Sequence, residues 1–132
     1  MPIMAGMVLI VDDEQNVREG LCAYLEDEGF SVVTAASAEE AFQLVDEGAD
    51  VGAVIMDLRL PRLDGTEAIR TLHAKRPDLR FLIHTGSQGY TPPHDLVKMG
   101  ITDTSVFRKP VTDMGVIAEA LHGLLKGTPD DG

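Results

Sequence analysis

The chain has 132 residues, enough for one domain that buries roughly two-thirds of its unfolded surface. Its net charge of −11 lies wholly within residues 1–66, and residues 67–132 balance to zero. Such acidity repels nucleic-acid phosphates and argues against direct DNA or RNA binding by this domain. No apolar run approaches the ~20 residues of a membrane span, and no basic signal-peptide region opens the chain, so a cytoplasmic protein is expected.

Val8-Leu9-Ile10-Val11 is a β-branched apolar run and predicts a first strand, stopped by Asp12-Asp13. From Glu14 to Glu28, the residues Val17, Leu21, Tyr24 and Leu25 share one helical face, and Gly29 ends the helix. Cys22, the only cysteine, lies in this stretch; it can form no internal disulfide and is expected as a small buried hydrophobe. Ser31 to Ala35 reads as a second strand. Ser37-Ala38-Glu39-Glu40 has capping-box spacing and opens a second helix that turns Ala41, Leu44 and Val45 inward, up to Gly48.

Val51 to Met56 predicts a third strand ending at Asp57. Thr66 to Lys75 reads as a helix, Arg80 to His84 as a fourth strand, and Thr85 to Gly89 as a loop. Pro92-Pro93 suits the first turn of a helix running to about Met99. Val106-Phe107-Arg108 is a short fifth strand, and Met114, Ile117, Leu121, Leu124 and Leu125 mark a last helix. The tail, 127–132, is expected to be flexible. Strands that are apolar throughout, alternating with helices, indicate an α/β fold: a five-stranded parallel sheet with helices on both faces.

In open sheets of this kind, ligands bind beyond the carboxyl ends of the strands. Asp12 and Asp13 follow the first strand, Asp57 the third, Thr85 the fourth and Lys109 the fifth. Each has a bland reading alone: an Asp pair caps a helix, a Lys-Pro pair makes a turn. Together they bring three carboxylates, a hydroxyl and an ammonium to one edge. Clustered carboxylates repel each other, and a hard divalent cation such as Mg²⁺ relieves them with oxygen ligands. One carboxylate then serves as nucleophile toward phosphorus, with charge neutralisation from the cation, Lys109 and Thr85. His73, His84, His94 and His122 are scattered and are assigned structural or surface roles.

These residues carry a resemblance. Val8 to Glu14, Ile55 to Gly65 and Lys109-Pro110 resemble the opening, the phosphorylation loop and the terminal signature of the receiver domains of bacterial two-component response regulators. The likeness covers residues 7–126 and implies the (βα)5, flavodoxin-like doubly wound fold. It implies that Asp57 is the phosphoacceptor, and that Asp13, Asp57 and the Arg59 carbonyl ligate Mg²⁺, with Asp12 acting mostly through a metal-bound water. Thr85, Gly86 and Lys109 would bind the phosphoryl group, and the bond before Pro110 would be cis. The donor would be a sensor histidine kinase or a histidine phosphotransfer protein. The downstream effector is unspecified, and a homodimer on activation is compatible with the resemblance. Such a domain is a regulator, catalysing only its own phosphoryl transfer and slow self-dephosphorylation.

The sequence departs from that pattern in two places. The rotating aromatic switch residue three positions before the lysine is replaced by Val106, with Phe107 one residue later and on the opposite strand face. The segment between Gly100 and Lys109 is also longer, so 101–105 is expected as a longer loop. Phosphorylation is therefore expected to move Thr85 through an altered relay. Arg59 and Ser87, which flank the site, are expected to tune the lifetime of the acyl phosphate. Three competing readings remain open. A phosphohydrolase would need an acid/base carboxylate where Arg59 stands. A binding module would normally lack a key residue. A flavin site would need a phosphate cradle after Val11.

Overall fold

The structure is a computed structural model and describes residues 6–126, so the expected tail at 127–132 lies outside the described residues. Strands and helices alternate as β1 (Met7–Val11), α1 (Gln15–Asp27), β2 (Val32–Ala35), α2 (Ala38–Asp46), β3 (Val51–Met56), α3 (Gly65–Lys75), β4 (Arg80–Thr85), α4 (His94–Lys98), β5 (Val106–Arg108) and α5 (Gly115–Lys126). The sheet is parallel throughout, in the order β2-β1-β3-β4-β5. The chain winds outward from β1 to β2, then crosses back to β3. That reversal opens a crevice between the carboxyl ends of β1 and β3.

Side-chain alternation divides the sheet into two cores. Val8, Ile10, Ala53, Ile55 and Leu82 face α1 and α5, where Leu21, Leu25, Ile117, Leu121 and Leu125 close over them. Leu9, Val11, Val54, Met56, Phe81 and Ile83 point the other way, onto Ala41 and Val45 of α2, Ile69 and Leu72 of α3, and Leu96 of α4. Burial on both faces is why the strands carry no polar alternation. Each fully buried Leu or Ile contributes ~1.5–3 kcal/mol, which holds the carboxyl edge in fixed register.

The ends of the elements follow local chemistry. Ser37 caps α2 by accepting from the Glu40 amide at 3.2 Å, while Glu40 reaches back to the Ala36 amide at 2.9 Å. Asp64 caps α3 through the Thr66 amide at 2.6 Å. Gly65 packs against the loop after β3, where a Cβ would strike the Asp57 carbonyl and come within 2.7 Å of Leu58 Cα.

The fourth helix is shorter than the sequence suggests. Pro92 and Pro93 do not form its first turn; Pro93 is its N-cap, with extended ψ of 160°. Pro92, which precedes a proline, is held out of the helical region, and Pro93 follows it as the extended N-cap. The segment 101–105 connects α4 to β5 and contains a short turn of its own. Asp103–Ser105 forms a 3₁₀ turn closed by reciprocal Thr102 and Ser105 bonds. Cys22 is half-buried against the α1/α5 core, not fully enclosed.

Candidate functional site

Register places the site. Val11 pairs with Met56 and Thr85 pairs with Arg108, so Asp12, Asp57, Thr85 and Lys109 emerge side by side at one sheet edge. The Asp57 amide donates to the Val11 carbonyl at 2.9 Å, and the Lys109 amide donates to the Thr85 carbonyl at 2.7 Å. The ladder thus continues one residue past each pair and fixes where the functional side chains leave the backbone.

Asp12 and Asp57 are 2% and 4% exposed, whereas Asp13 faces solvent. One oxygen from each of these three carboxylates lies within 4.8 Å of the others. Lys109 Nζ sits among acids, 3.1 Å from Asp12 Oδ2, 3.2 Å from Glu14 Oε1 and 3.5 Å from Asp57 Oδ2. Asp12 has a structural task as well, since its Oδ1 accepts the Glu14 amide at 2.9 Å in the turn that precedes α1. Asp57 Oδ1 accepts the Arg59 amide at 3.3 Å. Asp13, Glu14, Asp57, Arg59, Gly86 and Lys109 line an open cleft of about 290 Å³.

The electrostatics are those of too many acids around one cation. Burial, then the Asp12 charge, pushes the Asp57 carboxyl up to about 6, against the opposing pull of Lys109 and the Arg59 amide. Burial alone would lower Lys109, but its bond to Asp12 and the charges of Asp57 and Asp12 win and hold it above the usual lysine range. A single ammonium cannot neutralise three neighbouring carboxylates. The donor set is all oxygen, partly solvated and open on one side, which fits a hard cation that keeps some of its water.

Thr85 is fully buried and does not line the cleft; its Oγ1 accepts the Ser87 amide at 3.0 Å. The Lys109–Pro110 bond is cis. Val106 is buried in the core beneath α2, α3 and α4, and Phe107 packs into the α1/α5 core, so the two positions do face opposite ways. Two residues near the site escaped sequence reasoning. Glu14 reaches Lys109, and its position two residues after Asp12 was the available signal. His84 is 4% exposed, and its Nδ1 has no hydrogen-bond partner among the described residues. Burial and the nearby Lys109 charge lower its pKa, so the buried ring is held neutral.

Comparison with known proteins bears directly on this arrangement. The sequence matches the family model for the response regulator receiver domain over residues 8–122. It is 34% identical over 129 residues to the response regulator MprA of Mycolicibacterium vanbaalenii, covering 98% of this chain and 54% of that protein. It is 38% identical over 83 residues to the sensor kinase CckA of Brucella abortus, covering 62% of this chain and 9% of that protein. The response regulator TrrA of Thermotoga maritima, solved in complex with Mg²⁺-BeF, superposes with a TM-score of 0.77 at 27% identity, covering 91% of this chain and 99% of that one. The chain spans about half the length of the curated response regulator MprA that it matches.

Proposed function

The chain belongs to the response regulator receiver domain family, the phospho-signalling switches of two-component systems, and from that premise we propose that Asp57 is its phosphoacceptor. The supporting observation is the Lys109 ammonium 3.5 Å from Asp57 Oδ2, inside a cleft that Asp13 and Glu14 also line. Residues 7–126 form the receiver unit in this reading.

An Asp57 oxygen attacks the phosphorus of a phosphohistidine. The P–N bond breaks, its electrons return to the imidazole, which takes a proton, and an acyl phosphate forms on Asp57. With its carboxyl at about 6, Asp57 is mostly ionised near pH 7 and competent as a nucleophile. Asp13, Asp57 and the Arg59 carbonyl would hold a magnesium ion, which when bound supplies the positive charge that phosphoryl transfer needs. Asp12 contributes from behind, because its two oxygens already serve Lys109 and the Glu14 amide. Lys109 follows the charge onto a phosphoryl oxygen. Gly86, at the rim of the cleft, leaves space there, since a Cβ on it would meet nothing within 4 Å. Thr85 must shift to bring its hydroxyl to the same group. Arg59 and Ser87 control water access and hence the rate of self-dephosphorylation.

The donor in this reading is a sensor histidine kinase or a histidine phosphotransfer protein, met in the cytoplasm. The acidic surface suits an output read by protein contact, homodimerisation included, and not by direct contact with nucleic acid. The test is radiolabel transfer from a phosphohistidine donor with Mg²⁺. Wild type should incorporate label and Asp57→Asn should not; label retained by Asp57→Asn would overturn the assignment. Continuous turnover of a small phosphate ester would instead favour a phosphohydrolase.

A further inference from the structure

Thr85 is fully buried and is not among the residues that line the cleft around Asp57. Its hydroxyl is tied to the Ser87 amide, so moving Thr85 means moving the loop that follows β4. Among the described residues, no backbone-to-backbone hydrogen bond joins 86–92 to another element. Side chains hold this loop: Gln88 Nε2 donates to the Lys109 carbonyl at 3.4 Å, and Arg108 makes two shorter bonds. Arg108 lies directly beside Thr85 in the sheet. Its Nε donates to the Gln88 carbonyl at 2.9 Å and its Nη2 to the Tyr90 carbonyl at 2.8 Å.

Three further observations support a latch. Arg108 has no carboxylate partner among the described residues, so its charge is met by these loop carbonyls. The far end of the loop is pinned separately, by the Tyr90 hydroxyl 3.3 Å from Thr66 Oγ1 at the start of α3. The position two residues before Arg108, on the same strand face, is Val106, which has no polar tip and no ring to rotate.

We infer that Arg108 is a positioning residue: its guanidinium fork latches the β4–α4 loop to the edge strand in the unphosphorylated state and sets the threshold for Thr85 to move. When Thr85 swings toward the phosphoryl group, the carbonyls of Gln88 and Tyr90 leave the fork. The latch thus opposes phosphoryl binding, and removing it favours the switched state by population shift. This inference rests on the reading of Asp57 as phosphoacceptor.

The test measures beryllofluoride binding with Mg²⁺, by calorimetry and ¹⁹F NMR, for wild type, Arg108→Ala and Arg108→Lys. Arg108→Ala should bind about tenfold tighter, a size ordinary for coupled sites. Amides 86–91 should exchange faster in its free state, and the bound ¹⁹F spectrum should match wild type. Arg108→Lys, which keeps the charge but loses the fork, should fall between. Unchanged or weaker binding by a folded Arg108→Ala protein overturns the latch; if that variant does not fold, Arg108→Lys decides by the same criterion. Should wild type fail to bind, or Asp57→Asn bind equally well, the fault lies with the phosphoacceptor assignment and not with Arg108.

Discussion

Asp57→Asn should make the magnesium-free protein more stable at pH 7.5, although it removes the central residue of the site. In the folded state burial and the Asp12 charge lift the Asp57 carboxyl from the ordinary 3.8 to about 6. The native state therefore holds this proton more tightly than the unfolded chain does, and folding stability falls as pH rises from about 4 to about 6, then stays level. At about 1.4 kcal/mol for each tenfold change in proton affinity, ionised Asp57 costs roughly 3 kcal/mol above that window. Asparagine keeps an acceptor for the Arg59 amide and carries no charge, and Lys109 retains Asp12 and Glu14 as partners. Urea melts without Mg²⁺ should show a gain of ~2–3 kcal/mol for the variant at pH 7.5, shrinking to nothing near pH 4. Added Mg²⁺ should stabilise wild type by ~1.4 kcal/mol at tenfold excess over its Kd, with little effect on the variant. A variant that is equally or less stable than wild type at pH 7.5 without Mg²⁺ would refute the crowded-carboxylate account.

Lys109→Met should slow phosphorylation ~100-fold, the scale for losing one charge-stabilising donor, as measured by label incorporation from acetyl phosphate. Gly65→Ala should destabilise by ~2 kcal/mol or more and reduce phosphorylation, because its Cβ displaces the Asp57 carbonyl. Thermal melts together with labelling would expose the mistake if either property is unaffected. His84→Leu should be neutral or stabilising by up to ~1 kcal/mol in urea melts, since it removes a buried nitrogen that has no partner among the described residues; a loss above that size would mean the ring has a bonding role.

Much of this was legible in the chain because burial is written into the strands. Val8–Val11 and Val51–Met56 are apolar without interruption, and only a sheet covered on both faces makes that pattern stable. Strand ends then point to the site, and Asp12, Asp57 and Lys109 do converge within hydrogen-bonding reach. What stayed hidden depends on neighbours distant in sequence. Glu14 looked like one acid at a helix start, and its contact with Lys109 needs β1 and β5 brought to the same edge. Nothing in the neighbourhood of Arg108 says that its fork meets carbonyls of a loop some twenty residues earlier. The Pro92-Pro93 pair suits a first helical turn, yet Pro93 stands as the extended N-cap and α4 begins at His94.

The most direct measurement is reductive trapping of the acyl phosphate with borohydride after incubation with acetyl phosphate, followed by peptide mass mapping. The account predicts one modified position, Asp57, appearing with Mg²⁺ and absent under chelation. Modification at Asp12, Asp13 or a residue outside the cleft, or modification that proceeds equally well without Mg²⁺, would contradict it.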